Sequence, residues 1–307
     1  MNITVCICSY NNARLLGRTI ESLRGLDVPD GVTWELLVVN NNCSDDTDEV
    51  VTAFAGVLPL RYEHEQTPGK SHALNHALGV AQGELVIFAD DDVKVAPGWL
   101  AAYWDAYRTE DKPRYFGGRI VSEHAGYEPD TKLLEVAMAS IRGLDYGDVP
   151  RPTTNGETFI GSNWACPLAA MREIGGFDTT LGLNWGSRHV KVGEETHIMR
   201  QLQARGYEAF YVPGAEVLHD VPERKCNIRH VLERSYAWGY FDTRTRYSEG
   251  GSNTWFGVPR WLFRSLLQLV ARVGAERVTG GKAYANRILL AQQRGRIAAY
   301  RDMARAE

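Results

Sequence analysis

The sequence predicts an α/β fold, a mainly parallel sheet flanked by helices, with a helical C-terminal appendage. Three observations carry this. Short apolar runs alternate with helix-periodic segments over the first hundred residues, the pattern of βαβ units. Most of those runs are apolar over nearly their whole length, as strands buried on both faces are. From Ile228 onward the chain looks helical, interrupted at Gly250-Gly251 and Gly257-Val258-Pro259.

Each element has its own signal. Thr4 to Cys8 is a buried strand, and Leu15, Leu16, Ile20 and Leu23 space a helix over Arg14 to Leu23. Glu35 to Val39 is the second strand, closed by Asn40-Asn41-Asn42. Ser44-Asp45-Asp46 offers N-cap oxygens to a helix through Val50, Val51 and Phe54. A short strand spans Leu60 to Glu63. After Pro68-Gly69, the stripe Ala73, Leu74, Ala77, Leu78 and Ala81 marks a helix. Leu85 to Ala89 is a buried strand running into Asp90-Asp91-Asp92. Further on we expect a strand at Tyr115 to Val121 and a helix at Thr131 to Ile141. Gly161-Ser162-Asn163 reads as a polar loop before a short helix from Leu168 to Ile174. A helix from Glu194 to Ala204 ends at Arg205-Gly206.

Composition narrows the classes. With 307 residues, 44% hydrophobic and 23% charged, the chain is neither disordered, collagenous nor a disulfide-rich miniprotein. A formal charge of −4 argues against a generic nucleic-acid binder. No apolar run approaches the roughly 20 residues that span a bilayer. The first residues show no secretory pattern, and the five cysteines are scattered, Cys6 and Cys8 within a strand. Reduced core thiols and a cytoplasmic location are expected. The charge is uneven: residues 1–223 carry a net −14 and residues 224–307 a net +10. Arg260 to Val270 is amphipathic, with Trp261 and Phe263 between arginines. It suits either an interfacial helix at the inner face of a membrane or a helix packed on the body.

Ser9-Tyr10-Asn11-Asn12, Asn40-Asn41-Asn42 and Asp90-Asp91-Asp92 all fall at strand ends, where open parallel sheets bind ligands. Asp90 and Asp92, two apart, share a face if the segment is extended. Two carboxylates on one face suit Mg²⁺ or Mn²⁺ bridging to a diphosphate. The bland reading is a solvated turn capping the helix at Pro97 to Tyr107.

Val5-Cys6-Ile7-Cys8-Ser9-Tyr10-Asn11, Val38 to Thr47, Gly69-Lys70-Ser71-His72-Ala73-Leu74-Asn75 and Phe88-Ala89-Asp90-Asp91-Asp92-Val93 occur in that order. The pattern continues through Pro97-Gly98-Trp99-Leu100, Gly161-Ser162-Asn163, Gly175-Gly176-Phe177-Asp178 and Gly193-Glu194-Glu195. It resembles the family-2 glycosyltransferases of GT-A fold, with a Rossmann-like nucleotide-binding half, over about residues 3 to 220.

The resemblance implies a metal-dependent, inverting transfer from a nucleotide-diphosphate sugar to a glycan, lipid-linked or small hydroxyl acceptor, in glycan or polysaccharide biosynthesis. It implies a GT-A domain at 1–223, split into a nucleotide-binding half (1–95) and an acceptor half (96–223), before a basic helical region at 224–307. Ser9, Tyr10 and Asn11 would line the nucleoside pocket. The resemblance favours UDP, with GDP or dTDP open. Asn40 stands where family members often place an Asp that binds the uracil N3–H, a departure that weakens the case for UDP without excluding it, since an amide carbonyl can accept from the same N–H. Lys70 would meet the diphosphate. Asp90 and Asp92, with His219, would hold Mn²⁺ or Mg²⁺, and Asp91 would contact the ribose or support the site. Glu195 would be the base, assisted by Glu194, and Asn163 and Trp164 would shape the acceptor or sugar pocket. Competing readings are a silent nucleotide-sugar sensor or scaffold, and a sugar-nucleotide pyrophosphorylase. The latter lacks its glycine-rich N-terminal phosphate loop here.

Overall fold

The computed structural model describes residues 1–109, 112–154, 156–183, 191–246 and 254–306. The interruption expected at Gly250-Gly251 lies outside them. Ile3, Val5 and Ile7 have no exposed surface, so β1 (Ile3–Ser9) is an inner strand. It leads to α1 (Ala13–Leu23), which buries Leu16, Ile20 and Leu23, then β2 (Trp34–Asn40) and α2 (Thr47–Thr52). β3 (Leu60–His64), α3 (Lys70–Val80) and β4 (Leu85–Ala89) follow. These strands lie parallel in the order β3-β2-β1-β4. The chain winds outward from β1 to β3, then returns to the other side of β1. Loops leaving β1 and β4 therefore diverge and open a crevice.

Next come β5 (Val93–Val95), α4 (Trp99–Arg108), β6 (Arg114–Glu123), α5 (Thr131–Leu134) and α6 (Ala139–Arg142). β7 (Arg151–Pro152), β8 (Asn163–Pro167), α7 (Leu168–Glu173), α8 (Glu194–Ala204) and β9 (Glu208–Asp220) complete the series. The sheet continues β4-β8-β6-β9-β5, with β7 also on β9. β8 is antiparallel to both neighbours, while β6 and β9 are parallel. Among the described residues nine strands make one sheet, parallel in its first half and mixed in its second.

Several local expectations change. Asp46 occupies the N-cap of α2 but makes no cap bond with its side chain. Asp45 instead accepts from Ala13 N and Thr47 Oγ1, tying the starts of α1 and α2 together. α2 stops at Thr52, leaving Phe54 in a turn. The helix expected over Thr131 to Ile141 is two short helices. Between them Val136 N–H donates to Leu133 O and Ala137 N–H to Leu134 O, closing tighter turns than an α-helix allows. Asn163 begins a strand instead of ending a loop, and β5, β8 and β9 had no counterpart in the sequence reading.

The chain forms two compact units. The first comprises Met1–Ala125, Arg142–Gly186 and Glu194–Asp220, and holds the whole sheet. The second comprises Gly126–Ile141, Ser187–Gly193 and Val221–Glu307. The division at Asp220 lies near the cut expected at 223. However, residues 126–141 group with the C-terminal region: Leu133, Ala137 and Ile141 pack with Val221, Val231 and Ile288. In the second unit α9 (Ile228–Arg246) is followed by β10 (Thr254–Trp255), β11 (Val258–Pro259), α10 (Arg260–Val278) and α11 (Tyr284–Ala306). α9 and α11 approach through glycines. A Cβ on Gly239 would lie 2.1 Å from Gln292 O, and one on Gly295 2.1 Å from Tyr236 O.

Candidate active site

The crevice between β1 and β4 is organised around Asp91. Ser9 Oγ donates to its Oδ2 at 2.5 Å and Asn12 Nδ2 to its Oδ1 at 2.8 Å. Burial and the neighbouring Asp92 and Asp90 charges push the Asp91 carboxyl up to about 7, against the pull of those two hydrogen bonds. Ser9 is itself buried. It anchors the aspartate turn through Asp91. Asn12 was not singled out from sequence.

Lys70 is the hub of the site. Asn41, buried at the end of β2, accepts from Gly69 N–H and donates to Glu65 O and Thr67 O, fixing the loop that opens α3. Gly69 has φ +134°, a conformation that glycine reaches without steric cost. Lys70 Nζ then lies 2.8 Å from Asp90 Oδ1, 3.1 Å from Glu195 Oε1 and 4.0 Å from Glu194 Oε1. Burial works against its charge, yet Asp90, Glu195 and Glu194 together hold the ammonium well above its ordinary value.

The two glutamates separate in character. Burial, then the charge on Glu195, pushes Glu194 up to about 8. Burial opposes ionisation of Glu195 too, but Lys70 and backbone hydrogen bonding prevail and lower it. At neutral pH one is an acid and the other a carboxylate, the division by which paired carboxyls take different roles.

Two glycines make room for the pair. A Cβ on Gly161 would fall 1.9 Å from Glu195 Oε1 and 3.1 Å from Lys70 Nζ. One on Gly182 would fall 2.8 Å from Ser71 Oγ and 3.1 Å from Glu194 Cδ. Gly161 was visible in sequence only as part of a loop motif.

β9 brings His219 to the aspartates. Val93 pairs with His219, Asp220 N–H donates to Asp92 O, and His219 Nε2 lies 3.3 Å from Asp92 Oδ1. His219 Nδ1 is buried without a hydrogen-bond partner among the described residues. Asp90 to Asp92 form a turn, not an extended segment, and Asp90 faces Lys70. No cluster of three or more His, Cys, Asp or Glu is assembled to hold a metal among the described residues. A carboxylate and an imidazole still fit Mn²⁺ or Mg²⁺, which take much of their shell from substrate phosphates and water.

Three further residues are engaged in internal contacts. Asn40 Nδ2 donates to Asp48 Oδ1 and Tyr62 OH, while its Oδ1 accepts from Cys43 N–H. Asn40 braces the β2 loop, and the Asp48 carboxylate beside it is held low by Tyr62 and Asn40. Asn163 is fully buried. It accepts from Trp99 Nε1 and Tyr103 OH and donates to Arg119 O and Ala215 O. Both amide hydrogens and both carbonyl lone pairs are used, so none is left for a substrate. Trp164 is buried and stacks on Phe88 with centroids 4.5 Å apart. Both residues fix β8, and with it Gly161, instead of lining a sugar pocket. Asn11 is exposed with φ 49°, and its Oδ1 accepts from Ser44 N–H. Tyr10 beside it is half-buried.

A parallel βαβ half, an aspartate turn at its switch point and a lysine–glutamate hub define a GT-A-type transferase scaffold. Solved structures share this fold. The mannosyltransferase PcManGT from Pyrobaculum calidifontis, in complex with GDP-Man and Mn²⁺, matches with TM-score 0.64 at 20% identity, over 98% of this chain and 86% of that one. S. aureus TarS 1-349 with UDP-GlcNAc matches with TM-score 0.56 at 17% identity, over 100% and 91%.

The model of Glycosyl transferase family 2 matches residues 4–166, and that of Glycosyl transferase family group 2 matches residues 87–281. The chain belongs to glycosyl transferase family 2. It is 28% identical over 241 residues to the pre-mycofactocin glycosyltransferase of Mycobacterium tuberculosis, covering 78% of this chain but 46% of that protein. It thus spans about half the length of that relative. It is 23% identical to the succinoglycan biosynthesis protein ExoM of Rhizobium meliloti, over 78% and 73% of the two chains.

Proposed function

We propose that the chain transfers a sugar from a nucleotide-diphosphate sugar to a hydroxyl acceptor, with inversion, in glycan or polysaccharide biosynthesis. The observation that carries this is the hub: one lysine 2.8 Å from Asp90 and 3.1 Å from an ionised Glu195 at the mouth of the parallel sheet. Glu195 takes the proton of the acceptor hydroxyl as that oxygen bonds to the anomeric carbon and the bond to the diphosphate breaks. Lys70 stabilises the negative charge that gathers on the departing diphosphate. Glu194, neutral, keeps a second charge away from the base. Asp92 and His219 would hold Mn²⁺ or Mg²⁺, which supplies Lewis-acid stabilisation of the same leaving group.

GDP-Man with Mn²⁺ and UDP-GlcNAc, bound by the neighbours in fold, support the donor class. The test is a thermal-shift panel of UDP-, GDP- and dTDP-sugars with Mn²⁺. A ligand at about 100 times its Kd adds about 2.7 kcal/mol to native stability. One donor should raise Tm in wild type and fail to do so in Lys70→Ala. No shift with any nucleotide sugar would reject the reading.

A further inference from the structure

The second unit carries a surface that the transfer chemistry does not use. β10 and β11 pair antiparallel, Trp255 opposite Val258, through the two-residue turn Phe256-Gly257. Both turn residues have positive φ, 51° and 74°, as the tightest hairpins require and as Asn-Gly provides readily. A bulky phenylalanine in that conformation is strained, and here its side chain is 88% exposed. Trp255 beside it is exposed as well. Val258 anchors the hairpin in the core, but Phe256 takes a strained conformation and buries almost none of its ring, so folding alone gives no reason for a phenylalanine there.

α10 extends the pattern. Leu262, Leu269 and Val273 face inward. The opposite side, which on a surface helix is usually charged, presents Leu267 at 70% and Val278 at 90% exposure, with Val270 beside them. Arg260 and Arg264 share that side, and Glu276 is the one acidic residue of the helix. The Arg260 guanidinium lies 4.5 Å from the Trp255 ring centroid, joining the hairpin to this face. Alongside, α10 and α11 frame a groove of about 200 Å³ whose lining includes Ser265, Arg272, Gln293 and Arg296. Gln293 donates to Ser265, and its Oε1 is buried with no hydrogen-bond partner among the described residues.

We propose that this face docks on an anionic membrane surface. The aromatic tip and the outer side of α10 enter the lipid interface, while the arginines of the face and groove take headgroup phosphates. Charge complementarity selects this occupant. A second copy would set arginine rows against each other, whereas a bilayer offers an apolar layer and anions at once. The net +10 of residues 224–307 acts in the same direction. Among the described residues no helix is long and apolar enough to cross a membrane, and the docking is at the surface.

The experiment is cosedimentation of the full chain with phosphatidylcholine vesicles, with and without phosphatidylglycerol, at low and high salt. Binding is expected only with the anionic lipid and should weaken in salt. Phe256→Asn, which suits the turn, should keep or raise Tm and weaken binding about tenfold. Arg272→Gln with Arg296→Gln should weaken it about fivefold for each arginine removed. No binding to anionic vesicles at low salt would overturn the proposal, as would undiminished binding by Phe256→Asn. Binding of inorganic phosphate without vesicle binding would overturn it in favour of a soluble phosphate ligand. Self-association in place of vesicle binding would overturn it in favour of a second copy. No donor or acceptor is present, so failure here leaves the transfer reading intact.

Discussion

A methyl group added at position 161 separates the placement of Glu195 from its charge. The Cβ of Gly161→Ala would sit 1.9 Å from Glu195 Oε1, where ordinary contact begins near 3.4 Å. The carboxylate must therefore retreat by about 1.5 Å, which pulls it out of hydrogen-bond range of Lys70. The obstacle is the far end of a flexible side chain, and Gly161 is not among the positive-φ glycines. The fold should absorb the change, with Tm lowered by no more than a few degrees. Misplacing a reacting group by about 1 Å costs about 10²-fold in rate. Nucleoside diphosphate release from the donor found in the thermal-shift panel gives kcat and KM separately. We expect kcat to fall about 10²-fold with donor KM changed far less. Wild-type kcat in a folded Gly161→Ala protein would refute the reasoning.

Other perturbations reach different parts of the account. Asn163→Ala strands two buried donors and two carbonyls, so urea denaturation should show a loss of about 4 kcal/mol. Asn40→Asp sets a carboxylate against Asp48 and should cost about 2 kcal/mol, which Asp48→Asn in the double variant should restore. Glu194 lies above its unfolded value in the native state. Its contribution is therefore complete below the usual carboxylate range and is lost as pH rises to about 8. Glu194→Gln should match wild type in Tm near pH 4 and exceed it above pH 8. That gain is on the order of 2 kcal/mol once coupling to Glu195 is discounted.

The first half of the fold was legible because buried parallel strands and amphipathic helices write their periods directly. β1 to β4 and α8 were found within a residue or two at each end. β9 was not, because Pro213-Gly214 sits inside its 13 residues and reads as a break. β8 is five residues long and begins with an asparagine, so it resembled a loop. Lys70, Asp90, Glu194 and Glu195, which the fold brings together, were legible as charged residues at element ends. Asn40 and Asn163 were not, since an amide that braces the backbone and one that greets a ligand look alike in sequence. Their hydrogen bonds tell more: Asn163 has both amide hydrogens and both carbonyl lone pairs engaged, and Asn40 has both hydrogens and one lone pair engaged. Gly161 was hidden for a related reason: its function is an absence of side chain opposite a residue 34 positions away.

The central claim is that Glu195 is the base of a nucleotide-sugar transfer. Its most direct test is Glu195→Gln, with donor-induced thermal shift and turnover measured on the same protein. The account predicts a retained shift with Mn²⁺ and a kcat reduced about 10²- to 10⁴-fold. Turnover at the wild-type rate with the shift unchanged would contradict it.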